Sequence, residues 1–346
     1  MMEKLKYFMS PCYGCFRLKR SLVLIILTVI CFPGALRGQA TDDFKPSGKA
    51  EVRIFTGFNT SFSDGENHSK FDVTRAYLGY SYNFTRTLSG RIVYDVADPS
   101  AGNLKFTGML KFAYLRYKSE KWTVTGGMIP LPEYAHAEKT WGYRYIYKPA
   151  HDLYGFGASA DLGISVSHII APWISADITL MNGEGYKQTE ADSTFKAAAG
   201  ITLLPVSNVS LRGYVDNMSK DGINQQTAEV IASWQGRGYL LSAAYHYRRN
   251  HKLIDGHDYR VLTLNGRVPV SERVVLLGRY DYAASSRVGS AEDPWNLAKD
   301  GQLFLGGIEF AVSPGVSLSP NFQGWKPADN NMPFISTISL SLDLKI

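Results

Sequence analysis

The chain has 346 residues, 13% of them aromatic and 20% charged, with 21 Tyr, 32 Gly and a formal net charge of +6. That composition fits a strand-and-turn protein better than a helical one, and a single β-barrel can use the whole length. Six of the 37 basic side chains (Lys4, Lys6, Arg17, Lys19, Arg20, Arg37) and one of the 31 acids (Glu3) precede residue 39, which leaves a near-neutral remainder of 31 against 30. The basic excess therefore belongs to that first segment and does not imply a nucleic-acid partner, and none is expected.

Residues 1–40 read as a secretory signal peptide: a basic region, the apolar run Leu22 to Phe32, then small residues at Gly38 and Ala40. The apolar run is shorter than the roughly 20 residues needed to span a bilayer core. Cys12, Cys15 and Cys31 all lie in this segment. No disulfide, thiol chemistry or Cys-based metal site is expected in the remainder, residues 41–346, and no cofactor.

Sixteen alternating runs follow. They are Lys49 to Phe58, Lys70 to Tyr82, Thr87 to Ala97, Phe106 to Lys118 and Trp122 to Ile129, then Gly157 to His168, Trp173 to Met181, Thr194 to Leu204, Asn208 to Asp216 and Thr227 to Trp234. Tyr239 to Arg248, Asp258 to Val268, Arg273 to Ala283, Gln302 to Val312, Val316 to Gly324 and Phe334 to Ile346 complete the set. Period-two alternation in segments of about ten residues is the signature of a transmembrane antiparallel β-barrel. In Thr87 to Ala97, Leu88, Ile92, Tyr94 and Val96 share one face, while Ser89, Arg91 and Asp95 share the other.

Short turns alternate with longer polar loops around Asp64, Asp98, Tyr143, Glu184, Asp221, Asp255, Asp293 and Asp329. This is the asymmetry between periplasmic turns and extracellular loops. Tyr80, Tyr82, Tyr94, Trp122, Trp173, Trp234, Tyr245, Tyr247, Tyr280 and Tyr282 cluster near run ends, as interfacial girdles do. Pro320 falls inside a run and predicts a bulge or a misplaced boundary there.

The longest irregular segment, Pro130 to Phe156, carries Trp141 and several Tyr among charged residues. A long loop in a strand-rich chain is commonly functional, and this one is expected to fold into the barrel and narrow it.

Over most of residues 48–346 the chain resembles the phosphate-selective porins O and P. The resemblance rests on Gly127-Met128-Ile129-Pro130-Leu131-Pro132, on Asp161-Leu162-Gly163-Ile164, on Asn182-Gly183-Glu184-Gly185 followed by Lys196 and Pro205, and on Arg279-Tyr280-Asp281-Tyr282. It implies a sixteen-stranded homotrimeric channel in the bacterial outer membrane, in contact with lipid and passing small hydrophilic solutes, among them anions such as phosphate. The arginine ladder and central lysine of that family have no counterpart that can be placed here.

With the apolar face outward, the lumen receives Arg53, Arg75, Arg91, Lys111, Lys196, Arg212, Arg248, Arg267 and Arg279, against Glu51, Asp95, Asp161, Asp177, Asp216, Glu229, Asp281 and Glu309. A wall so balanced predicts weak selectivity unless the charges segregate in space. In the loop, Arg144 and Lys148 among aromatic side chains are the expected solute contacts. The candidate pore-lining set is Arg91, Asp95, Lys111, Arg144, Lys148, Arg212 and Arg279. No Gly-x-Ser-x-Gly, His-Glu-x-x-His or telling carboxylate pair marks an enzyme. The alternatives are a non-conducting structural or adhesive barrel and a soluble β-sandwich.

Overall fold

The computed structural model describes residues 44–97, 106–188 and 193–346. Its strands are β1 (Ser47–Ser63), β2 (Glu66–Asn83), β3 (Leu88–Ala97), β4 (Thr107–Lys118), β5 (Trp122–Pro130), β6 (Ala160–Ala171), β7 (Ile174–Met181) and β8 (Lys196–Val206). The second half has β9 (Val209–Lys220), β10 (Ile223–Gly236), β11 (Tyr239–Arg249), β12 (Tyr259–Pro269), β13 (Val274–Ser285), β14 (Gly301–Ser313), β15 (Val316–Pro327) and β16 (Ile335–Lys345). Every strand pairs antiparallel with its sequence neighbours, and β1 pairs with β16 to close the barrel. Closure continues to the last residue, where the Ile346 amide donates to the Val52 carbonyl at 2.9 Å. The soluble sandwich reading is thereby overturned. The signal segment expected over 1–40 lies outside the described residues, as does the tip of the loop around Asp98.

The barrel turns its apolar face outward. On β10, Gln225, Thr227, Glu229 and Ile231 are buried inside. Outside, Val230 on β10, Leu241 on β11, Leu264 on β12 and Ile338 on β16 are each about half exposed. A continuous apolar band on a closed barrel matches hydrocarbon, because every backbone polar group is already paired between strands. Near the short-turn end Tyr80, Trp122, Trp173 and Trp234 are exposed on that surface, and Tyr94, Tyr245 and Tyr282 occupy the other end. Both girdles stand where the sequence places them.

Three local expectations are corrected. Polar loops were expected around Asp64 and Asp221, but both are two-residue hairpins. Asp64-Gly65 and Asp221-Gly222 take left-handed φ values of 50° and 78°, and 50° and 82°. Asp-Gly supplies the two positive φ angles that let a two-residue turn follow the strand twist, so β1, β2, β9 and β10 run on past the expected boundaries. Pro320 makes no bulge: β15 keeps one register with β16 from Val316 opposite Leu344 to Trp325 opposite Ile335. Toward β14, Ser319 and Pro320 fall in a gap of the ladder between the pairs Gly307–Asn321 and Phe310–Leu318. The missing proline N–H is accommodated there without a slip. Third, the segment after β5 is helical in two places.

Candidate functional site

The segment between β5 and β6 forms α1 (Pro132–Trp141) and the single turn α2 (Ala150–Leu153). Pro132 starts α1, where its missing N–H costs nothing, and Gly142 ends it at a left-handed φ of 81° with its amide donating to Glu138 O. One face of α1, with Glu133, Tyr134, Ala137, Thr140 and Trp141, is buried. Ala135 and Lys139 lie on the opposite, exposed face. The loop then folds on itself, with the Trp141 indole N–H donating to Tyr147 O at 2.8 Å.

This loop crosses the lumen and is bolted to the far wall. Arg212 of β9 donates from Nε to Glu133 at 2.6 Å and from its terminal nitrogens to Asp177 of β7 at 2.8 and 3.1 Å. His151 meets Glu229 of β10 at 2.8 Å. The Tyr154 hydroxyl donates to Asp281 of β13 at 3.0 Å, and the Tyr145 hydroxyl to Glu309 of β14 at 2.8 Å. Arg248 of β11 donates to the carbonyls of Gly155 and Phe156, and Arg279 to that of Lys148 at 2.5 Å. Between these bonds Trp141, Tyr143, Tyr145 and Ile146 pack on Phe55, Leu277 and Leu305 from β1, β13 and β14. Inward-facing apolar residues are unusual in a wet lumen, and here they are the loop's seat. Burial pushes His136 on α1 down to about 4, with Arg212 and Lys139 acting in the same direction.

A second segment also turns inward. The Gly183 amide donates to Asp161 at 2.8 Å and the Tyr186 amide to Ala160 O at 3.0 Å. This brings the Tyr186 hydroxyl to Asp95 at 2.6 Å, beside the Arg75–Asp95 ion pair, also 2.6 Å. Lys187 follows, within electrostatic reach of Arg75 and Lys148.

The sequence-predicted site residues separate into groups. Arg91 pairs with Glu51 at 2.8 Å away from the loop contacts. Arg212 and Arg279 are buried, the latter held at 2.6 Å by Asp281 two positions along its own strand, and both serve as bolts. Arg144 is buried against Tyr134 and pairs with Asp152 at 3.2 Å, so its guanidinium is not the open solute contact expected of it. Lys148 is the opposite: its side chain is 42% exposed and only 3.8 Å from the same Asp152. Lys111 is held by the Tyr77 hydroxyl at 3.3 Å and by the Tyr77 ring, not by a carboxylate among the described residues.

Asp95, Lys111, Arg144 and Lys148 do share one electrostatic neighbourhood, together with Arg75, Lys187, Glu138 and Asp152. The lumen charges are therefore segregated. Along the wall that holds the loop, Arg212, Arg248 and Arg279 are each matched by a carboxylate or by backbone carbonyls. On the β2 to β4 side, among the described residues, Arg75, Lys111, Arg144, Lys148 and Lys187 outnumber Asp95, Glu138 and Asp152. Toward the long-loop end, a cavity of about 400 Å³ opens between Tyr154, Tyr259, Trp295 and Trp325, with Lys252 and Lys299 on it.

Sequence reasoning placed Glu133 and His151 in the inward loop without finding their wall partners, and missed Tyr186 and Lys187 as lumen residues. For the last two the glycines at 183 and 185, both at positive φ, were the available sign that the chain doubles back.

No protein-family model and no curated protein matches this sequence. Solved structures do. The chain is similar to the outer membrane channel DcaP of Acinetobacter baumannii (TM-score 0.66, 12% identity, 88% of this chain and 99% of that one). It is also similar to OprB of Pseudomonas putida (TM-score 0.69, 10% identity, 86% and 94%). A third is an anion-selective porin from Comamonas acidovorans (TM-score 0.62, 12% identity, 87% and 100%). At these identities the likeness is one of fold. The chain is a closed sixteen-stranded β-barrel with the fold of these outer-membrane porins.

Proposed function

We propose that the protein is a constricted outer-membrane channel for passive diffusion of small hydrophilic solutes, with a preference for anions. The observation that carries this is the segregation of charge: the far wall spends its cations on holding the loop, while the β2 to β4 side keeps an excess of them beside Lys148 and Lys187. A ring or patch of one sign at a constriction sets the selectivity of a channel. The aromatic cavity toward the long-loop end, with its two lysines, suits entry of anionic or sugar-like solutes. Phosphate is one such anion, favoured by the resemblance to the phosphate-selective porins. No described residue is given a catalytic role. The homotrimer implied by that resemblance belongs to this proposal too, and cross-linking of detergent-extracted protein tests it.

Conductance in planar bilayers decides the matter. Ion-dependent steps with a reversal potential displaced toward chloride support the channel. A second reading, a non-conducting structural or adhesive barrel, is favoured by the burial of Arg248 and Asp281 beneath the loop and of Asp95 beneath Tyr186. Insertion without steps establishes that reading and sinks the first.

A further inference from the structure

We propose that His151, Glu229 and His246 form a binding site for a divalent transition-metal ion of the zinc class, which clips the constriction loop to the barrel wall. Glu229 on β10 and His246 on β11 are direct cross-strand partners, so both side chains enter the lumen side by side. α2 brings His151 to the same point from the loop. One ligand atom from each of the three lies within 4.8 Å of the others. The His151 Nδ1 is 2.8 and 3.0 Å from the two Glu229 oxygens, and the His246 Nδ1 is 3.1 Å from one of them.

A tetrahedral ion with bonds of about 2.0–2.1 Å sets its ligand atoms roughly 3.3 Å apart. The His–Glu separations of 2.8–3.1 Å are already close to that spacing, and the two imidazole nitrogens stand no farther than 4.8 Å apart. Two imidazoles and one carboxylate are also a standard three-ligand set for zinc, with a water completing the shell.

The hydrogen bonding of His246 is the second observation. Its ring is 1% exposed, Nε2 has no hydrogen-bond partner, and Nδ1 has only the Glu229 oxygen at 3.1 Å, without hydrogen-bond geometry. A buried polar atom left without a partner is costly, and a metal ion is a partner that takes the in-plane lone pair. The surroundings hold the rings in place. Phe156 stacks on His246 with ring centres 5.1 Å apart, and His151 lies so close over Gly157 that a Cβ there would stand 2.2 Å from its Nε2. The alternative is a plain hydrogen-bonded His–Glu–His triad, which makes different predictions.

The test uses the full barrel in detergent, stripped with a chelator and then titrated with Zn²⁺ by calorimetry and with Co²⁺ by visible absorption. The expected result is one ion per chain and the intense d–d bands of four-coordinate Co²⁺. His246→Gln should weaken binding by about tenfold or more, on the scale that loss of site contacts produces. His251→Gln, outside the trio, should leave it unchanged. Heat-modifiability of each variant on gels verifies that the barrel is folded. Should His246→Gln fail that check, Glu229→Gln is measured in its place. No stoichiometric binding by the folded wild-type barrel, or binding that survives loss of the tested ligand, overturns the site and leaves the plain triad. Neither outcome depends on whether the barrel conducts.

Discussion

Lys148→Met removes one cation from the constriction without disturbing the loop's seat, because residue 148 is tied to the wall through its carbonyl, which accepts from Arg279. Its ammonium is 42% exposed and loosely paired, so a passing ion feels it across water. At about 6 Å in water, two unit charges interact by roughly 0.7 kcal/mol. Screening reduces this to ~0.4 kcal/mol at 0.1 M salt and ~0.1 kcal/mol at 1 M. Losing the cation raises the energy of an anion and lowers that of a cation by the same amount. The chloride-to-potassium permeability ratio should then fall about fourfold at 0.1 M and only about 1.4-fold at 1 M. Reversal potentials across salt gradients centred on the two concentrations measure this directly. An unchanged ratio at 0.1 M, or an equal change at both concentrations, refutes the placement of Lys148 at the ion path.

Further outcomes follow from the seat itself. Arg212→Met leaves buried Glu133 and part-buried Asp177 without their cation, a loss of about 3–5 kcal/mol; amide exchange of residues 132–141 should accelerate while the barrel strands stay protected, and unchanged exchange would show that the ion pairs do not hold α1. The apolar seat, on the order of 10 kcal/mol for the buried aromatic and aliphatic side chains, should keep the loop inside the lumen in that variant, so its unitary conductance should rise only slightly. His136, lowered to about 4, is neutral when seated and binds its proton more readily when released. Protons are thus taken up on release between about 6.5 and 4, and seating weakens by up to about 1.4 kcal/mol per pH unit as the pH falls through that window. Channel noise that grows below pH 6 in metal-free buffer, and no longer does so in His136→Gln, is the expected record. Gly157→Ala would set a methyl 2.2 Å from the His151 ring and displace it; proteolytic nicking near residue 151 should increase, and resistance equal to wild type would mean that the ring has room to move.

The strands were legible because each carries its own signal: alternation along β3 or β10 needs no knowledge of any partner. The inward charges were legible for the same reason. Their pairing was not, since Arg212 finds Glu133 79 positions away, and Tyr145 finds Glu309 at a separation of 164. Those distances are set by where the loop lands, and nothing local to the loop encodes that. The inward position of Phe55, Leu277 and Leu305 was masked as well, because an apolar residue on the polar face of a strand reads as noise until its partner in the loop is known. Asp64-Gly65 and Asp221-Gly222 did carry a local signal, the two-residue hairpin pair, which the expected pattern of long extracellular loops concealed.

On the proposed function, fixing the loop and choosing the ion fall to different side chains, and the physics favours that division. A cation used as a bolt must be buried and neutralised, as Arg212 and Arg279 are, and a neutralised buried pair has little field left for a passing ion. A cation used for selectivity must stay wet and incompletely paired, as Lys148 is, and such a group holds the loop weakly. Selectivity and loop position are accordingly separable: charge changes at Lys148 should alter which ions pass at constant pore size, whereas changes at Arg212 should alter loop motion at constant ion preference. A single substitution that moved both together would show that the loop is held by the same charges that face the solute.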